Sequence, residues 1–126
     1  MILDKYIESI KDLNVLIVED GKDIRDIMSA TLGKLFHSAT TAIDGLNGLE
    51  KFNENKPNII ISDIRMPNMS GNDMIDKMKE SDPSIPIIVV SGHGNMIKKT
   101  NKADIFLSKP IKFDKLIEAI YTLTKH

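Results

Sequence analysis

Five polar residues stand where short apolar runs stop. Asn14 to Val18 ends at Glu19 and Asp20, Asn58 to Ile61 continues through Ser62 to Asp63, Ile87 to Val90 ends at Ser91, and Ile105 to Leu107 continues through Ser108 to Lys109. Taken alone, an acidic pair after such a run merely opens a loop or caps a helix. If the run before Asp63 lies beside the run before Glu19, however, three carboxylates share one corner. They then repel by several kcal/mol at intermediate dielectric unless a cation joins them. Oxygen donors in a chain without cysteine favour Mg²⁺ over zinc there. Three carboxylates and the Lys109 ammonium leave two negative charges; one Mg²⁺ cancels them, and a dianionic phosphoryl group could then enter. Metal-assisted phosphoryl chemistry is what these residue types fit.

The residues meet only if the runs are neighbouring strands with their ends aligned. Each run is short, β-branched and nearly continuous, the pattern of strands buried on both faces of a parallel sheet. In such a sheet ligands bind at the C-terminal edge of the strands. Segments of helical period lie between the runs. Ile24, Ile27, Met28 and Leu32 form one apolar stripe, Leu46, Leu49 and Phe52 another, Met74, Ile75 and Met78 a third, and Leu116, Ile117 and Ile120 a fourth. His37 to Ala42 fits a less apolar strand at the sheet edge. Asp44 and Ser70 are placed to cap the second and third of these helices, and Asn55 to Pro57 and Ser81 to Pro86 are turn signals ahead of strands. The alternation predicts an α/β fold.

With 126 residues, 41% of them hydrophobic, the chain suits one domain with a real core and leaves no room for a second. Its 17 basic and 18 acidic residues give a net charge of -1, so no global field draws it to nucleic acid or an anionic membrane. Partners must be recognised locally. The absence of cysteine excludes a disulfide framework, and no apolar run approaches the roughly 20 residues of a membrane span. Asp4 and Glu8 interrupt the amino end, which therefore lacks a signal-peptide core. The expectation is a cytoplasmic protein with no membrane insertion and no direct nucleic-acid contact.

Two stretches are irregular. Leu3, Tyr6, Ile7, Ile10 and Leu13 fall at helical spacing, so residues 1–13 are expected to form an N-terminal amphipathic extension ahead of a domain over 14–126. That helix either packs on its own domain or serves as an interaction element. Between Ser91 and Lys109 the chain must fit a loop, a helix and a strand, and Lys98, Lys99, Asn101 and Lys102 make the helix short and polar. It is expected to be the least stable element.

Asp63 is followed by Ile64-Arg65-Met66-Pro67-Asn68-Met69-Ser70-Gly71, a loop whose Pro and Gly fix its path. With Val18-Glu19-Asp20, Ser62-Asp63 and this loop, Ser91-Gly92 and Lys109-Pro110, the chain strongly resembles the receiver domains of two-component response regulators, the single-domain chemotaxis regulators among them. The match runs over about residues 14 to 124, and four motifs in order at strand ends make it specific. The resemblance implies a flavodoxin-like, doubly wound sheet of five parallel strands in the order 2-1-3-4-5 with helices on both faces, a short fourth helix and an extra N-terminal one.

It also implies a phosphorylation switch. Asp63 would accept a phosphoryl group from the phosphohistidine of a sensor histidine kinase or phosphotransfer protein, and self-dephosphorylation would reset it. Asp20, Asp63 and the backbone carbonyl of Arg65 would hold Mg²⁺, with Glu19 reaching it through water. Lys109 would pair with a phosphoryl oxygen, Ser91 would hydrogen-bond another, and Phe106 would turn inward as the switch aromatic, unless it is simply a core residue. Arg65 and His93 would line the rim and tune phosphoryl lifetime. The Lys109-Pro110 bond would be cis. His37 and His126 belong to no constellation. The output would be a surface read by a downstream protein or output domain, from a monomer or a phosphorylation-dependent dimer. Because the chain stops after its last helical stripe, a stand-alone regulator and a receiver cut from a larger protein both stay open.

Departures from the family pattern are few. Glu19 replaces the more usual Asp, Gly48 interrupts a helix at a cost of up to about 1 kcal/mol against Ala, and the span from Ser91 to Lys109 is about one helical turn short. The last puts the usual output face in question. Two other classes compete: a phosphohydrolase working through an aspartyl-phosphate, which would carry an acid where Arg65 stands and usually a cap domain, and an unphosphorylated scaffold, which would lack the acceptor or the acid pair.

Overall fold

A computed structural model describes residues 2–92 and 102–125. His93 and most of the polar helix expected before Lys109 lie outside the described residues. The elements in chain order are α1 (Ile2–Ile10), β1 (Asn14–Val18), α2 (Lys22–Gly33), β2 (Ser38–Ala42), α3 (Gly45–Asn55), β3 (Ile59–Ser62), α4 (Gly71–Ser81), β4 (Ile87–Ser91), β5 (Ile105–Ser108) and α5 (Phe113–Thr124). All five strands are parallel, in the order β2-β1-β3-β4-β5. The expected flavodoxin-like topology is therefore observed.

Register aligns the strand ends. Val18 stands opposite Ala42 on one side and Ser62 on the other, and Ser91 stands opposite Ser108. Strand order reverses between β1 and β3, so the crevice where parallel sheets bind ligands opens between Glu19-Asp20 and Asp63. Alternate side chains feed two cores. Val15, Ile17, Ile59, Ile61, Ile88 and Val90 pack with α2 and α5, while Leu16, Val18, Ile60, Ile87 and Val89 pack with α3 and α4.

The N-terminal helix packs on its own domain. Ile10 is fully buried, a gain of about 1.5–3 kcal/mol for a side chain of its size, and the Tyr6 ring stacks on Tyr121 of α5 with centroids 4.4 Å apart. The expected caps are present, with Asp44 accepting from the Asn47 N–H and Ser70 from the Asp73 N–H. Gly48 is explained by packing. A Cβ there would meet the Met74 sulfur and the Val18 methyls, so its absence lets α3 lie close to α4 and β1. At the other end of the sheet the Asp104 carboxylate accepts from the Ile87 N–H at 2.8 Å and from Lys79 Nζ at 3.0 Å, anchoring the start of β5.

Two apolar stripes are only partly buried. Met28, Leu32 and Phe52 are in the core as their spacing predicts, but Ile24 and Ile27 are 40% and 58% exposed and Leu46 is 53% exposed. Spacing locates the centre of a helix's buried arc and leaves its width to the neighbours. Here Ile24 and Ile27 of α2 and Leu46 of α3 fall outside the arc that the neighbouring elements cover.

Candidate functional site

Glu19, Asp63 and Lys109 are delivered by backbone bonds that continue the sheet past their strands. The Glu19 N–H donates to the Ala42 carbonyl, the Asp63 N–H to the Val18 carbonyl and the Lys109 N–H to the Ser91 carbonyl, all at 3.0–3.1 Å. Side chains from β1, β3 and β5 therefore converge on the crevice. Carboxylate oxygens of Glu19, Asp20 and Asp63 lie within 4.8 Å of one another. Lys109 Nζ donates to Asp63 Oδ2 at 2.6 Å and to Glu19 Oε1 at 3.3 Å.

Local bonds hold the Asp63 and Glu19 carboxylates in place. Asp63 Oδ1 accepts from the Ile64 N–H at 2.6 Å, and Glu19 Oε2 accepts from the Gly21 N–H at 2.9 Å. Arg25, from the first turns of α2, donates to the carbonyls of Glu19 and Asp20 at 3.0 and 3.3 Å. Sequence reasoning missed Arg25. Its only signal was a cation a few residues after an acidic pair, too weak to separate from surface charge.

Burial and charge act against each other at the site. Burial pushes the Glu19 carboxyl up, against the Gly21 N–H and the Lys109 ammonium, which pull it down. Burial alone would lower Lys109, but its bonds and charge interactions with Asp63 and Glu19 outweigh that and hold it above the ordinary lysine range. The Lys109 ammonium bonds two of the three carboxylates, Asp63 and Glu19, and a divalent cation would balance the cluster further. The donor set is all oxygen, clustered and open on one side through the exposed Asp20, which fits Mg²⁺.

The other expected residues fall around this centre. Ser91, 2% exposed, ends β4 next to Lys109, and the Lys109–Pro110 peptide is cis. Phe106 pairs with Val89 and packs toward the α3 and α4 core, whereas Ile105 and Leu107 face the other one. Arg65 is exposed at the start of the loop after Asp63. That loop is closed by the Gly71 N–H, which donates to the Ile64 carbonyl at 2.7 Å, and a Cβ on Gly71 would overlap the Asp63 carbonyl.

The sequence profile of the response regulator receiver domain matches residues 15–121. The chain belongs to this family. Among its relatives, chemotaxis protein CheY of Thermotoga maritima is 34% identical over 116 residues, which cover 88% of this chain and 97% of that protein. The receiver also matches parts of longer proteins. It is 29% identical to sensor histidine kinase RcsC of Salmonella typhi and 30% identical to transcriptional regulatory protein GlrR of Escherichia coli, yet spans only 13% and 26% of their lengths. Among solved structures, a receiver domain protein of Clostridium thermocellum superposes with a TM-score of 0.81 at 26% identity over 88% of this chain and 93% of that one. Vibrio cholerae CheY4 gives 0.81 at 27% identity over 89% and 98%. The family is one of regulatory, phospho-accepting domains, and no helix among the described residues is long and apolar enough to cross a membrane.

Proposed function

We propose that this receiver accepts a phosphoryl group on Asp63 from a phosphohistidine, with Mg²⁺ held by Asp20, Asp63 and the Arg65 carbonyl and reached by Glu19 through water. One observation carries the reading: Lys109 Nζ bridges Asp63 and Glu19 within a three-carboxylate cluster at the switch point of the sheet. Transfer is a displacement at phosphorus. An Asp63 carboxylate oxygen forms the new O–P bond, the N–P bond of the donor breaks, and its electron pair returns to the imidazole. Bound Mg²⁺ would supply charge neutralisation for the phosphoryl oxygens. The protein contributes positioning and charge more than covalent chemistry. The Ile64 N–H fixes the Asp63 carboxylate, and Lys109, bonded to that carboxylate, would pair with a phosphoryl oxygen. Ser91, on the neighbouring strand, would bind a second oxygen, and Phe106 would follow its movement.

An open groove next to Lys109 supports docking of a donor protein there. Ile24, Ile27, Met28, Pro110, Ile111 and Phe113 line an open apolar groove of about 540 Å³ that also includes Lys109. Exposed isoleucines there make sense if a kinase or phosphotransfer helix covers them while its phosphohistidine reaches Asp63.

Beryllofluoride, which stands in for the phosphoryl group, tests this reading. With Mg²⁺ it should shift the NMR resonances of Ser91 and Phe106, and Asp63→Asn should abolish the shifts. Equal shifts in the variant would refute the assignment.

A further inference from the structure

Asp44 has more partners than a helix cap requires. Its Oδ1 accepts from the Asn47 N–H at 2.8 Å and caps α3, while its Oδ2 accepts from the Asn68 side-chain amide at 2.7 Å. The residue is buried, and the Asn47 N–H followed by the Asn68 amide hold its carboxyl below the usual carboxylate range. Asn68 itself has a φ of 68°, and the Met69 N–H bonds back to the Pro67 carbonyl at 2.8 Å. A positive φ at the centre of such a three-residue bond is the rare, strained hand of γ-turn.

Strained backbone of this kind persists only where its surroundings over-determine it. Here the surroundings are the corner between β2 and α3. Beyond the Asp44 carboxylate, Gly45 approaches so closely that a Cβ would overlap the Met69 carbonyl. The loop so gripped begins at Asp63 and carries Arg65. Its far end is already closed by Gly71 on Ile64, leaving its apex to be held by Asp44 and Gly45.

We infer that Asp44 and Gly45 are positioning residues for the acceptor site: acting through Asn68 and Met69, they fix the loop over 64–70 and thereby set how tightly the site holds Mg²⁺. The inference rests on the reading of the Glu19, Asp20 and Asp63 corner as a Mg²⁺ site. Asp44 is outside that cluster and touches the loop rather than the donors.

Asp44→Ser separates its two tasks. Serine remains a good N-cap, but one hydroxyl cannot both cap α3 and hold Asn68. Mg²⁺ affinity, read by calorimetric titration, should fall roughly tenfold, the low end for partners that orient a metal site. The thermal midpoint of the metal-free protein should fall by a few degrees, reflecting the loss of one hydrogen bond to a carboxylate, and the Met69 amide should exchange faster. Asn68→Gly accepts positive φ without a side chain to be held, so adding Asp44→Ser to it should weaken Mg²⁺ no further. If Asp44→Ser does not fold, Asn68→Ala leaves the cap intact and should show the same loss. Wild-type Mg²⁺ affinity in Asp44→Ser, or an undiminished effect in the Asn68→Gly background, overturns the inference alone. A wild-type chain that takes up no Mg²⁺ overturns both the inference and the reading beneath it.

Discussion

The two corners beside Asp63 are built in opposite ways. From Asp63 to Gly71 the chain is closed on itself and on α3, with the Asn68 side-chain amide donating to the Asp44 carboxylate and glycines at both points of nearest approach. From Lys109 to Phe113 it borders an apolar groove whose other wall is the exposed edge of α2. The difference separates two demands. Groups that meet phosphorus must be held before the reaction, whereas a surface that receives a partner must stay open until the partner covers it.

Lys109, where the corners meet, should be the most sensitive position short of the acceptor itself. Lys109→Ala removes the cation facing Asp63 and Glu19, and phosphoryl uptake from acetyl phosphate should slow on the order of a hundredfold, as when a donor to developing charge is lost. Uptake at the wild-type rate would mean that Lys109 only balances charge. Gly71→Ala tests the closed corner. The added Cβ meets backbone atoms of Asp63 and Ile64 that cannot give way, and urea unfolding should show a loss of about 1–3 kcal/mol.

Ile27→Asp tests the open corner and should do the reverse. Stability should stay within about 0.5 kcal/mol of wild type, acetyl phosphate should react as before, and transfer from a phosphohistidine protein should slow about tenfold, equivalent to roughly 1.4 kcal/mol. Equal slowing with both donors would place Ile27 in the acceptor chemistry and erase the contrast between the corners.

The smallest effect is in pH. Burial raises Glu19 in the folded state, so its contribution to stability is present below the unfolded value and is lost as pH rises through the folded one. Without metal, wild type should therefore lose stability relative to Glu19→Gln as pH rises from the ordinary carboxylate range toward neutrality. Mg²⁺ should bind more weakly as pH falls back through the same window. For Lys109, also raised, the pair's contribution holds below the ordinary lysine range and disappears only in stronger alkali.

Much of this site is legible from sequence because strand ends in a parallel sheet are fixed points. Once Val15 to Val18 and Ile59 to Ile61 are recognised as neighbours, Glu19, Asp20 and Asp63 have nowhere else to go. The caps at Asp44 and Ser70 were equally readable, being local bonds over three residues. The second partner of Asp44 was not, because its bond to Asn68 joins two loops and has no periodicity to announce it. The exposure of Ile24 and Ile27 was missed for a related reason. A stripe reports which way a helix faces, and only the packed neighbours decide where its burial ends.

The most direct test of the account is intact mass after incubation with acetyl phosphate and Mg²⁺. Wild type should gain one phosphoryl group, with fragmentation placing it on Asp63, and should gain none with EDTA. An adduct that survives Asp63→Asn, or that forms equally well without divalent metal, would contradict it.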